Sequence, residues 1–200
     1  IKNAKDLKNS IKSRLVDAKI YKNYLYYATL RSFFVIKENN YDSALNVADN
    51  VGLLNTRINE FEFDNKGNIW IATVGNGLLH YQDENTVTQY NTKDGLASHL
   101  YHTLVFENDS TLLLGSNEGI ERVYLNYKSN KVELSRIEKF DIKDGLLSNY
   151  INDIAFWNNE IYVASKKGLQ SFRKDLKPKV VPPQIITTNF TVNNLEYDFG

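Results

Sequence analysis

The chain has 200 residues, and its 24 basic and 24 acidic side chains cancel to a formal charge of zero, so there is no electrostatic case for nucleic acid or an anionic membrane surface as a partner. Cysteine is absent, which excludes a disulfide framework and thiol chemistry. No apolar run reaches the roughly 18 residues that a membrane-crossing helix requires.

Taken in order, the chain repeats one unit. Leu15-Val16-Asp17-Ala18 and Leu25-Tyr26-Tyr27-Ala28-Thr29 read as two strands of a first, faint copy. The second copy runs from Ile58 to Phe63, through the polar turn Asp64-Asn65-Lys66-Gly67-Asn68, into Ile69-Trp70-Ile71-Ala72-Thr73. The third runs from Tyr101 to Phe106 and, after Asn108-Asp109-Ser110, through Leu112-Leu113-Leu114-Gly115-Ser116. The fourth runs from Ile151 to Phe156 and, after Asn158-Asn159, through Ile161-Tyr162-Val163-Ala164-Ser165. A glycine loop precedes each of the last three copies. It aligns Gly52, Gly95 and Gly145, which are 43 and 50 residues apart, and brings Asn59, His102 and Asn152 into one column. Each unit then reads as strand, turn, strand, short loop, strand, variable loop, strand, glycine loop.

Four short strands at this period predict an all-β fold of propeller blades, about four of them and part of a larger propeller. The second strands are apolar at consecutive positions, where a strand covered on one side would alternate. A blade held between two others needs that pattern. The loop glycine is expected to take a positive φ, and the Leu after it to plug the gap between blades. The predicted repeats lie near 14–55, 56–98, 99–148 and 149–176, with residues 1–14 a remnant of a preceding blade. The chain starts on Ile1 without a signal sequence, and is read as a processed or truncated piece.

The stretch from Gly67 to Tyr81, GNIWIATVGNGLLHY, resembles the two-component regulator propeller repeat: an aspartate-rich turn, a Trp-bearing strand and a glycine pair before an apolar strand. The likeness is strongest from Ile58 to Tyr90 and weaker in the other units. There Tyr26, Leu113 and Tyr162 replace the Trp, and only Gly119 and Gly168 of the glycine pair remain, with Ser32 in the first copy. All three prolines fall late, at Pro178, Pro182 and Pro183, and mark residues 177–183 as a linker after a propeller of residues 1–176. Residues 184–200 alternate and then turn at Asn193-Asn194, which looks like the opening strand of the triple-tyrosine, immunoglobulin-like domain that follows such propellers.

The resemblance implies a non-catalytic, periplasmic sensor module of a two-component protein. It would sense a glycan-derived or other small-molecule ligand and relay to a membrane-bound histidine kinase of Bacteroidetes-like bacteria. A homodimer would form through the downstream sandwich domain, the membrane would be met only through flanking segments, and no cofactor is implied. A propeller lyase or hydrolase acting on polysaccharide, and a protein-interaction scaffold, are the alternatives.

No nucleophile elbow, phosphate loop, His-Glu-x-x-His or calcium loop is present. His99 and His102 form a His-x-x-His pair without a third ligand at a matching spacing, which reads as a tolerant loop and not a metal site. Trp70 reads as core. Trp157 and Tyr21 occupy equivalent turns and are expected at the surface. Glu60 and Glu62, two apart, fit either an exposed strand face or an acid–base pair. In an up-and-down blade the glycine loop and the loop between strands two and three lie on one face. That face would gather Arg31, Asn76, His99, Asn117, Asn149 and Lys166 as ligand-binding candidates, a set suited to the hydroxyls and carboxylates of a sugar.

Overall fold

The computed structural model describes residues 14–37, 44–83, 85–129, 131–179, 189–192 and 195–198. They build four antiparallel sheets whose strands pair strictly in chain order. Blade 1 holds β1 (Leu15–Tyr21), β2 (Tyr24–Thr29), β3 (Phe33–Lys37) and β4 (Leu45–Asn46). Blade 2 holds β5 (Arg57–Phe63), β6 (Ile69–Val74), β7 (Leu78–Asp83) and β8 (Thr86–Tyr90). Blade 3 holds β9 (Tyr101–Asn108), β10 (Thr111–Ser116), β11 (Ile120–Tyr127) and β12 (Val132–Phe140). Blade 4 has three strands, β13 (Ile151–Trp157), β14 (Glu160–Ser165) and β15 (Gly168–Arg173). A separate hairpin, β16 (Asn189–Val192) and β17 (Leu195–Asp198), is what the structure describes of the expected sandwich region. Residues 184–188, also assigned to that region, lie outside the described residues.

The first strand of each blade is the innermost. β1 packs beside β5, β5 beside β9, and β9 beside β13. Among the described elements β13 and β1 are not neighbours in that way. Each innermost strand carries a bulge at the same repeat position, which holds Val16, Asn59, His102 and Asn152. Just past the bulge, each blade bonds to the next. Phe61 N donates to Asp17 Oδ2 at 3.1 Å, Leu104 N to Glu60 Oε2 at 2.9 Å, and Thr103 Oγ1 to Asp153 Oδ1 at 3.2 Å. Glu60 and Glu62 are therefore neither an exposed face nor an acid–base pair. Glu60 caps the next blade, while Glu62 pairs with Lys19 of the previous one.

The period of two along each second strand sorts its side chains between two cores. In β6, Ile69 and Ile71 enter the core shared with blade 1, beside Phe33, Ile58 and Phe61. Trp70 and Ala72 enter the core shared with blade 3, beside Leu104, Leu112 and Leu114. In β10 the neighbour of those leucines, Leu113, points the other way, into the core shared with blade 4. Trp70 is fully buried, as its neighbours in sequence imply. The expectation of burial on both faces holds for β6 and β10 but not for β14, where Tyr162 and Ala164 are only half-buried. Nothing among the described residues covers that side of blade 4. Leu169 is 68% and Trp157 70% exposed, and on the far side of blade 1 Ile20 is 78% exposed.

The glycine loops end one blade and start the next. Gly95 and Gly145 take positive φ, 96° and 113°. Gly52 does not, and opens a short 3-10 turn instead. Leu96 and Leu146 are buried as plugs between blades. In the turn between β5 and β6 the Asp64 carboxylate organises the backbone. Its Oδ1 accepts from Lys66 N and Asn68 N, both at 2.9 Å, and its Oδ2 accepts from Asn68 Nδ2 at 2.9 Å. Of the two aromatics expected at the surface, Trp157 is exposed, whereas Tyr21 stacks on Phe63 with ring centroids 4.6 Å apart.

Candidate functional site

The loops predicted to share a face do meet. The amides of Gly75 and Gly77, between β6 and β7, donate to His99 O at 2.8 and 2.9 Å, so the strand-two-to-three loop of blade 2 touches the glycine loop leading into blade 3. The Lys166 amide, between β14 and β15, likewise donates to Tyr150 O at 3.2 Å. Up-and-down pairing forces this, because both loops leave the same ends of antiparallel strands.

The six candidates fall into three groups. Three are absorbed by the loops themselves. Asn76 donates through Nδ2 to Leu53 O (3.4 Å) and accepts at its backbone oxygen from Gln89 (2.9 Å). His99 has its ring against Thr92 Oγ1 at 3.0 Å, and Asn149 Oδ1 accepts from Ile142 N at 2.9 Å. Arg31 is exposed on blade 1, at the turn between β2 and β3. Asn117 and Lys166 come together with two residues outside that set, His102 and Tyr150. His102 Nε2 lies 2.8 Å from Asn117 Oδ1, and the His102 ring lies 4.7 Å from that of Tyr150 at an interplanar angle of 31°. The Lys166 ammonium sits over the Tyr150 ring, 3.4 Å from its centroid.

This cluster spans the boundary of blades 3 and 4. His102 is pushed out by the β9 bulge, Asn117 sits at the tip of the β10–β11 turn, Tyr150 immediately precedes β13, and Lys166 opens the β14–β15 turn. Asn117 and Lys166 are exposed, and His102 and Tyr150 half-buried. The group offers a cation, an amide, an imidazole edge and an aromatic ring. Those groups bind hydroxyls, an anionic oxygen and the apolar face of a ring, and they supply no nucleophile–base pair. His99 and His102 do not converge on one point, and among the described residues no three His, Asp or Glu side chains are placed to hold a metal ion. The signal for His102 was present in the column it forms with Asn59 and Asn152. Nothing in the repeat singled out Tyr150, whose equivalents are Leu100 and Arg57.

The fold defines a β-propeller, with four blades in these residues. Residues 52–75 match the family model described as Two component regulator propeller, so the chain carries a repeat of that family in blade 2. No curated protein matches the chain in sequence. Among solved structures, the chain is similar to the extracellular domain of a provisionally assigned one component system from B. thetaiotaomicron, with 12% identity and a TM-score of 0.63, over 98% of this chain and 32% of that one. A second, the extracellular domain of a provisionally assigned hybrid two component system from B. thetaiotaomicron, gives 20% identity and a TM-score of 0.57 over 81% of this chain and 23% of that one. A luciferin-regenerating enzyme shares the fold at 13% identity and a TM-score of 0.57, over 88% of this chain and 63% of that one. The chain thus spans about a third or less of the length of the two extracellular domains.

Proposed function

We propose that this chain is part of the extracytoplasmic sensor region of a two-component signalling protein, and that it acts by binding, without catalysing a reaction. The observation that carries the reading is the regulator-propeller repeat at residues 52–75, set in register with three further blades. The extracellular propellers from B. thetaiotaomicron support the compartment, and share only the fold at their level of identity. The ligand we propose is an acidic oligosaccharide, bound where blades 3 and 4 meet on the loop face. Tyr150 would offer its ring to a sugar, Lys166 its charge to a carboxylate, and His102 and Asn117 hydrogen bonds to hydroxyls. The output passes to a histidine kinase beyond these residues, with dimerisation through a sandwich domain opened by residues 184–200. Ligand and signal are linked because a ligand shifts a two-state equilibrium by its differential affinity for the two states.

The test is calorimetric titration of the chain with short uronic-acid oligosaccharides and with their neutral counterparts. Lys166→Ala should weaken binding of the acidic series about tenfold, equivalent to ~1.4 kcal/mol, and change the neutral series little. Binding that ignores Lys166, His102 and Tyr150 alike would remove the ligand from this face. Turnover of the oligosaccharide by the isolated chain would replace the sensor reading with the propeller-enzyme one, which the shared fold of the luciferin-regenerating enzyme keeps in view.

A further inference from the structure

Blades 2 and 3 each bury an acid–base pair at one repeat position, and the two pairs are covered differently. In blade 2 the pair is Asp64 and His80, with His80 Nε2 3.7 Å from Asp64 Oδ2 and both side chains buried. Trp70 stacks on His80, with ring centroids 4.3 Å apart. In blade 3 the same positions hold Glu107 and Arg122. Arg122 is 5% exposed, with Nε 3.0 Å from Glu107 Oε2 and Nη1 3.3 Å from Glu138 Oε2. A guanidinium carries five donors and is longer than an imidazole, so it has donors left after these acids are met.

Those donors reach the chain that leaves blade 4. In blades 1 to 3 a fourth strand follows and pairs on the edge of the third. After β15, residues 174–179 instead lie back against blade 3. Arg122 Nη2 donates to Lys174 O at 3.0 Å, and Nη1 to Leu176 O at 2.7 Å. The Leu176 side chain packs on the core between blades 3 and 4, beside Phe140, Ile154 and Ile161. Lys174 Nζ donates to Glu107 O at 3.1 Å. At the far end Lys179 N donates to Asp144 Oδ1 at 2.6 Å, in the glycine loop that leads to Tyr150. A repeat-equivalent buried pair, two main-chain acceptors, an apolar plug and a second anchor all hold one segment.

We infer that residues 174–179 are a strap with Arg122 as its buried anchor, tying the chain that leaves the propeller to the packing of blade 3 on blade 4. The strap is a feature of the free protein. Resting on the sensor reading, it also gives the blade 3–4 loop face a short mechanical route to the outgoing chain, through Asp144.

Amide hydrogen exchange of the unliganded chain tests it. Arg122→Lys keeps one positive charge for Glu107 and Glu138, but three donors on one nitrogen cannot meet both acids and both carbonyls as the spread guanidinium does. The expected result is exchange at least tenfold faster at Lys174, Leu176 and Lys179, with tryptic cleavage after Lys174 accelerated to match, while β6 and β10 keep their protection. Unchanged strap amides would overturn the inference, and so would exchange that rises equally across β9 to β12, since Arg122 would then merely hold blade 3 together. Leu176→Ser is the second variant and leaves Arg122 and its acids intact. It should loosen the same amides selectively, and strap protection that survives it overturns the inference as well. No ligand is present in these measurements, so a failed oligosaccharide titration leaves the strap untouched, and the reverse holds.

Discussion

Strands β6 and β14 occupy the same place in their blades, yet their surroundings differ. In β6 five consecutive residues from Ile69 to Thr73 are buried, whereas in β14 buried and half-buried residues alternate. Both strands are rich in apolar residues, so composition does not explain the contrast; neighbours do. β6 has a blade on each side, and its alternate side chains enter two separate cores. β14 has blade 3 on one side, with Ile161 and Val163 in the shared core, and Tyr162 on the side with no described partner. A propeller strand is thus a two-faced element whose second face is defined by what comes next to it.

The sharpest way to break this comparison is to truncate the same repeat position in both blades. Trp70 is fully buried and stacked on Tyr90, with centroids 5.7 Å apart, whereas its equivalent Tyr162 is half-buried beside the exposed Trp157. Trp70→Ala should cost about 3–5 kcal/mol, the usual toll for emptying a large aromatic site in a core, and Tyr162→Ala about 1 kcal/mol or less. Urea unfolding midpoints at constant m value measure both. Equal losses would mean that the outer face of blade 4 is covered in solution.

The glycines at the start of the third strands give a second, smaller contrast. Gly119 has φ 113°, and a Cβ there would lie 2.1 Å from Phe140 O. Gly168 has φ 127°, but a Cβ would meet nothing within 4 Å. The backbone conformation penalises both, and only Gly119 adds a collision with main chain, where β12 closes on β11. Gly168→Ala should therefore cost about 1 kcal/mol and Gly119→Ala about 2–3 kcal/mol by the same unfolding assay. The gap measures the fourth strand that blade 4 lacks among the described residues. If the two costs are alike, a strand lies against Gly168 in solution.

Much of this was legible in the sequence because repetition amplifies weak signals. One apolar run such as Leu112-Leu113-Leu114 is ambiguous, but three in register with glycines between them define a blade, and the outcome for Trp70, Leu96 and Leu146 follows from that register. What the sequence did not disclose depends on particular side-chain contacts that the repeat does not encode. His99 looked available as a loop residue, but its ring is held by Thr92, seven residues earlier. Tyr150 is marked by nothing in the repeat, and gains a partner in Lys166 only because two turns of blade 4 converge. The strap was hidden for the same reason. Arg122 and the carbonyl of Leu176 are 54 residues apart, and no local pattern predicts that a segment leaving a third strand will fold back instead of pairing along the edge. The propeller fold is written once per repeat, while the site and the strap are each written once per chain.

The last expected effect is read across pH and concerns the buried pair of blade 2. Burial alone would raise the pKa of Asp64, but His80, both groups of Asn68 and the amide of Lys66 outweigh it and hold the carboxyl at about 2, below its ordinary 3.8. A carboxyl depressed in the folded state stabilises the fold above its unfolded pKa, and loses that contribution as pH falls through the folded value. Asp64 should therefore contribute about 2 kcal/mol at pH 5 and above, fading between pH 4 and pH 2. Urea unfolding across that range should show the loss in the native chain. Asp64→Asn, which keeps the turn geometry but has no charge to protonate, should be less stable at pH 6 and show a shallower acid limb. Equal acid limbs in the two proteins would mean that the Asp64 turn is held by shape, with its charge contributing nothing.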